Sequence, residues 1–125
     1  MIRFDLTDLA PMPVWRGRHY IQLSELSIAQ SRLGIRYDVT PPWPRPLDML
    51  PLAMPSLRVE DDLGTVYGNS CGLYRTVSDK QVAGLLTCQP APPDAAEKLT
   101  FRLVFEIMRE EYVCEFKIDL GPLVG

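Results

Sequence analysis

Leu99-Thr100-Phe101-Arg102-Leu103-Val104-Phe105-Glu106-Ile107 and Tyr112-Val113-Cys114-Glu115-Phe116-Lys117-Ile118-Asp119-Leu120 decide the fold of this chain. Side chains of a strand alternate between two faces, so a period of two in apolar residues builds one continuous stripe. Leu99, Phe101, Leu103, Phe105 and Ile107 make the first stripe, and Tyr112, Cys114, Phe116, Ile118 and Leu120 make the second. Arg109-Glu110-Glu111 between them predicts a hairpin whose tip carries Glu110 and Glu111 as solvated charge. Each inward Leu, Ile or Phe contributes about 1.5 to 3 kcal/mol, so Phe105→Asp is expected to unfold the chain.

Moving upstream, Asp94-Ala95-Ala96-Glu97-Lys98 combines an aspartate cap with helix formers and predicts one helical turn. Gln81 to Cys88 and Leu73-Tyr74-Arg75 read as strands, with Gly68-Asn69-Ser70-Cys71-Gly72 as a loop before them. Ser56 to Glu60 and Thr65 to Tyr67 flank Asp61-Asp62-Leu63-Gly64, the chemistry of a type I turn closed by a left-handed glycine. Thr40 to Pro46 carries four prolines and predicts an extended connection that crosses between sheets. Leu47 to Met54 reads as a helical turn or an apolar strip over a sheet edge.

In the first third, Leu33, Ile35, Tyr37 and Val39 alternate with polar residues, and Tyr20 to Ile28 alternates with a parity slip near Ser24-Glu25. Such a slip reverses the faces of all later residues, so either a β-bulge or a short helical turn must sit there, and the bulge is favoured. Met1 to Leu6 reads as a short strand ended by the Pro11-Met12-Pro13 break. About seven short strands with turn signals every 8 to 12 residues predict an all-β, two-sheet antiparallel immunoglobulin-like sandwich, with a partly closed β-barrel as the alternative.

The totals agree with one domain over residues 1–125. The chain is 46% hydrophobic and 23% charged, with twelve prolines that squeeze out long helices. Thirteen basic against sixteen acidic residues give a net charge of −3 without any basic run, which argues against nucleic acid as a partner. No apolar stretch reaches the roughly 20 residues that a spanning helix needs, so no membrane is expected. The N-terminus lacks the pattern of a secretory signal, which predicts a cytoplasmic protein, with a mature exported domain as the alternative. Cys71, Cys88 and Cys114 form no Cys-x-x-Cys pair, and three reduced thiols are expected.

Ser56 to Tyr67 with its Asp-x-x-Gly turn, followed by Leu99 to Ile107 and Tyr112 to Leu120, resembles bacterial immunoglobulin-like domains of unknown function over about residues 56–120. The resemblance implies a non-catalytic accessory or binding module and assigns no functional residue. Members of such families are often exported.

Among candidate residues, His19 is the one histidine and has the pKa range of a catalytic base. Combined with Cys71, it would make a thiol enzyme or small hydrolase. Glu60, Asp61 and Asp62, with Asn69, are hard oxygen ligands of the kind Ca²⁺ takes, and Trp15 or Trp43 would stack on a sugar in a carbohydrate-binding version. Trp15, Arg16, Arg18, Trp43 and Arg45 are residue types enriched at protein interfaces, and both tryptophans lie in segments broken by proline or glycine. The reading that gathers most of these residues is a non-enzymatic sandwich that binds a protein through this patch, or pairs with itself through a sheet edge. No cofactor motif is present.

Overall fold

The two C-terminal stripes pair antiparallel as β8 (Lys98–Ile107) and β9 (Glu110–Asp119), in register from Lys98 opposite Asp119 to Ile107 opposite Glu110. The computed structural model describes residues 2–14, 16–40, 55–78, 81–107 and 110–120. Glu110 and Glu111 are exposed, as expected, but they belong to β9 and not to the tip, because both find ladder partners in Ile107 and Glu106. β5 (Ser56–Asp61) joins the other side of β8 and completes a three-stranded sheet in the order β5-β8-β9. On its outer face Arg102 sits in the middle strand and reaches Glu60 on β5 at 3.0 Å and Glu115 on β9 at 3.2 Å. That face is solvated, which leaves the opposite face for the core.

The second sheet runs β1-β3-β4-β7-β6, formed by Ile2–Asp5, His19–Ile28, Leu33–Thr40, Gln81–Gln89 and Gly68–Ser78. β2 (Met12–Val14) also pairs with β3, beside its N-terminal half. The Pro11-Met12-Pro13 stretch was expected to be a break, yet Met12 and Pro13 belong to a short edge strand, where a proline's missing donor does no harm. The parity slip in β3 is a register shift between Leu23 and Glu25, and it keeps Leu23 and Leu26 both fully buried. Without the extra residue, one half of β3 would turn its apolar side to water.

Nine strands and no helix are present among the described residues, so the expectation of about seven strands was low. β2 was not expected as a strand, and β6 extends beyond the expected Leu73-Tyr74-Arg75 at both ends. Gly68 to Gly72 was read as loop from its glycines, but β7 offers it a paired neighbour and the stretch is strand with a bulge between Gly68 and Cys71. Asp94 to Lys98 is no helix either. Ala96 N–H donates to the Pro93 carbonyl at 2.9 Å in a single turn, and the chain then enters β8.

The chain changes sheet after β4, β5 and β7, and the two sheets remain separate and open at their edges, which excludes the closed barrel. The β5 to β6 change is made by the Asp61 turn, with Gly64 at a φ of 77° where a side chain would be strained. Thr65 to Tyr67, expected as strand, instead carries the chain across to the other sheet. Between the layers, Ile21, Leu23, Ile35 and Leu86 meet Leu99, Phe101, Leu103 and Phe105, all at most 1% exposed. Tyr37 lies flat over Gly84, its partner on β7, and meets Phe105 of the other sheet edge to face at 6.3 Å between ring centres. Among the described residues no buried polar side-chain atom lacks a hydrogen-bond partner.

Candidate functional site

Four residues link β2 to β3, and Val14 opposite His19 closes their base. Arg16 and Gly17 both take left-handed backbone, with φ of 59° and 75°. A non-glycine residue held there costs about 1 kcal/mol or more, so the turn is fixed by its surroundings. One restraint is visible: Arg16 reaches the Glu110 carboxylate at 3.5 Å, from the edge of the larger sheet to the edge of the smaller one. The same carboxylate accepts the Tyr112 hydroxyl, and that hydrogen bond raises the phenol's pKa. Arg16 therefore helps hold a corner of the sandwich together, and Arg18 lies exposed two residues later. Trp15, Trp43 and Arg45 fall outside the described residues, so the expected five-residue patch is seen in two members.

Beside that turn, Pro11, Tyr20, Gln22, Asp38 and Thr40 line an open concavity of about 530 Å³ on the outer face of the larger sheet. The ladder explains its composition. Tyr20 and Gln22 have the outward parity of β3 and stand opposite Thr40 and Asp38 on β4. Gln22 Nε2 donates to the carbonyls of Leu9 and Leu23 at 2.9 and 2.8 Å, which ties the β1–β2 connection down as one wall. Tyr20 is 46% exposed, and among the described residues Asp38 makes no ion pair. An amphipathic ring next to an uncommitted carboxylate is a surface that can hold a cationic side chain. Neither Tyr20 nor Asp38 is among the expected site residues, although an aromatic at a solvent-facing strand position was a signal available in the alternation itself.

The proposed dyad of His19 and Cys71 is not assembled. His19 is buried at the start of β3 on the inward parity shared with Ile21, whereas Cys71 is exposed on the outer face of β6. Cys71 lies in one cross-sheet row with Thr87, Gly34 and Ser27, so three strand spacings and eight residues of β3 separate it from His19. At about 4.8 Å and 3.3 Å respectively, that is well over 20 Å. Cys71 and Thr87 oxygen are in contact at 3.3 Å. Cys88 and Cys114 are buried, and desolvation pushes their thiols up to about 12 and about 11. Cys71 and Cys88 face opposite sides of the sheet and all three thiols are free.

The acidic group is also dispersed. Glu60 turns to Arg102, Asp62 accepts the backbone N–H of Glu97 at 3.0 Å, and Asp61 accepts Leu63 N–H, Thr65 N–H and the Tyr67 hydroxyl at 2.9, 3.0 and 2.8 Å. Partial burial pushes the Asp61 carboxyl up, but the hydrogen bonds from Thr65, Tyr67 and Leu63 outweigh it and hold the group at about 2. Desolvation and the Asp61 carboxylate together raise the Tyr67 phenol. Three carboxylates aimed at three different partners do not form a Ca²⁺ cage, and among the described residues no three His, Cys, Asp or Glu side chains come together.

No protein-family model matches the chain, and no curated protein does. Among solved structures, the GAE domain of GGA2p from Saccharomyces cerevisiae is similar at 14% identity, with 91% of this chain and 100% of that chain covered and a TM-score of 0.29. That score is too low to argue function from. Among the described residues, no helix is long and apolar enough to cross a membrane.

Proposed function

We propose that this chain is one non-catalytic β-sandwich domain over residues 1–125 that binds a basic segment of a partner protein at the Tyr20–Asp38 end of its larger sheet. The observation that carries the reading is Tyr20, 46% exposed beside Pro11 and the unpaired Asp38 carboxylate over the concavity. Tyrosine gives contact area at small entropic cost, and a lysine or arginine laid on its ring meets Asp38 at its charged end. The Asp38 carboxylate in the lining favours a basic side chain at this point. Arg18 precedes Tyr20 by two residues, and β4 ends opposite Tyr20 at Thr40, three residues before Trp43 in sequence. On that ground Trp15, Arg16, Arg18, Trp43 and Arg45 are proposed to border the contact. Three free thiols support a reducing, cytoplasmic setting.

Affinity capture from the native cell, compared between the natural chain, Tyr20→Ala, Asp38→Ala and Trp43→Ala, tests this. The expected result is loss of the same captured protein in Tyr20→Ala and Asp38→Ala, with the circular dichroism spectrum unchanged. Full capture by both variants overturns the placement of the site. A second reading rests on β6, an edge strand of 11 residues that pairs only with β7 among the described strands. Its free backbone edge suits pairing with another copy, which sedimentation would show as a concentration-dependent dimer.

A further inference from the structure

Away from the Tyr20 end, the outer face of the larger sheet carries a second depression, of about 240 Å³. The ladder builds it from one straight row: Arg3 on β1 stands opposite Ser27 on β3, Ser27 opposite Gly34 on β4, and Gly34 opposite Thr87 on β7. Gly34 is its floor. A Cβ added there would stand 3.1 Å from Ser27 Oγ and 3.5 Å from both Leu85 Cδ1 and Thr87 Cγ2, so the flanking side chains already lean over the missing one. Arg36 lines it from the next row, and Arg32 lines it from the turn that precedes β4.

The charges are unevenly committed. Arg36 faces Glu25 at 3.9 Å, while among the described residues Arg3 and Arg32 have no acidic partner. Asp5, the other nearby carboxylate, is turned away to accept the backbone N–H and hydroxyl of Thr7 at 2.9 and 2.6 Å. Two unmatched guanidiniums thus overlook a pit flanked by the Ser27 hydroxyl and the Thr87 methyl, in a protein whose overall charge is negative. The Thr87 hydroxyl is in contact with the Cys71 sulfur at 3.3 Å, which leaves Ser27 as the hydroxyl that faces the pit.

We infer that this depression binds the phosphoryl group of a phosphate monoester. The dianion matches Arg3 and Arg32 in number, its three terminal oxygens accept from guanidinium and hydroxyl donors together, and guanidinium recognises it through paired N–H bonds. A carboxylate would leave one guanidinium unmatched. The site is independent of the Tyr20 contact, with which it shares no residue.

Titration calorimetry at low salt with glycerol phosphate and with a glycine-flanked phosphoserine peptide tests it. Both ligands are expected to bind the natural chain, and to bind at least tenfold more weakly to Arg3→Ala/Arg32→Ala. Arg58→Ala, an exposed arginine on the smaller sheet, changes the net charge alone and is expected to alter binding by less than twofold. Gly34→Val fills the floor with both arginines in place and is also expected to weaken binding tenfold, with melting temperature read alongside to confirm folding. Tighter binding of the peptide than of glycerol phosphate assigns the site to a phosphorylated partner segment, and equal binding assigns it to the phosphoryl group of a small molecule. No binding by the natural chain overturns the inference, as does equal weakening by Arg58→Ala and the double variant.

Discussion

Gly84→Ala probes the contact that joins the two sheets. A Cβ at this position would fall inside the Tyr37 ring, far below van der Waals separation, and Tyr37 is only 2% exposed, so the ring has nowhere open to go. Forcing extra volume into a packed core costs about 1 to 3 kcal/mol. Moving the ring also loosens its edge-to-face contact with Phe105, an arrangement worth about 0.5 to 1.5 kcal/mol. The stiffer unfolded chain gives back about 0.4 to 1 kcal/mol, which leaves a net loss of about 2 kcal/mol. At about 2.1 cal/mol/K of unfolding entropy per residue, a chain of 125 residues loses about 4 °C of Tm per kcal/mol. Thermal denaturation followed by circular dichroism should therefore show Tm falling by about 8 °C. On a Tyr37→Ala background the collision is gone and the same alanine should cost almost nothing, a coupling of about 2 kcal/mol. An equal loss on both backgrounds, or no loss in the single variant, would refute the packing argument.

The Asp61 turn should report on pH. Its carboxyl is held at about 2 against an ordinary 3.8, so its contribution is complete above about pH 4 and disappears as pH falls through 2. Denaturant unfolding across that range should show a shallower acid decline in Asp61→Ala than in the natural chain, and parallel declines would remove Asp61 as the cause. Tyr67→Phe, which deletes one of its hydrogen bonds, should cost about 1 kcal/mol by the same measurement. Among the thiols, Cys71 alone should react with a disulfide reagent in the native protein, with Cys88 and Cys114 joining only in denaturant; three fast equivalents without denaturant would contradict their burial.

The fold was legible where one face of a strand is apolar and the other polar. Phe101, Phe105 and Phe116 declare their side by parity alone, and the slip at Ser24-Glu25 narrowed the irregularity to a bulge or a helical turn, of which the bulge is the one that buries both Leu23 and Leu26 within one strand. Legibility failed where neighbours in space override local preference. Glycines at 68 and 72 read as loop, yet β7 supplies a ladder, and Asp94 to Lys98 has helix formers but too few residues between β7 and β8 to nucleate one. The functional surfaces were the least legible part. His19 and Cys71 were singled out for their chemistry, and sheet order then set them strands apart while cross-strand register put them on opposite faces. Tyr20 with Asp38, and Arg3 with Arg32, acquire meaning only through cross-strand register, which no linear spacing contains.

The proposed partner contact lies at the Tyr20–Asp38 end of the larger sheet. Photo-cross-linking in the native cell measures it most directly, with the photoreactive residue p-benzoyl-phenylalanine placed at position 20 in one chain and at position 117, exposed on the outer face of the smaller sheet, in another. The expected result is a discrete protein adduct from position 20 that Asp38→Ala abolishes, and none from position 117. Adducts of equal yield from both positions, or from position 117 alone, would contradict it.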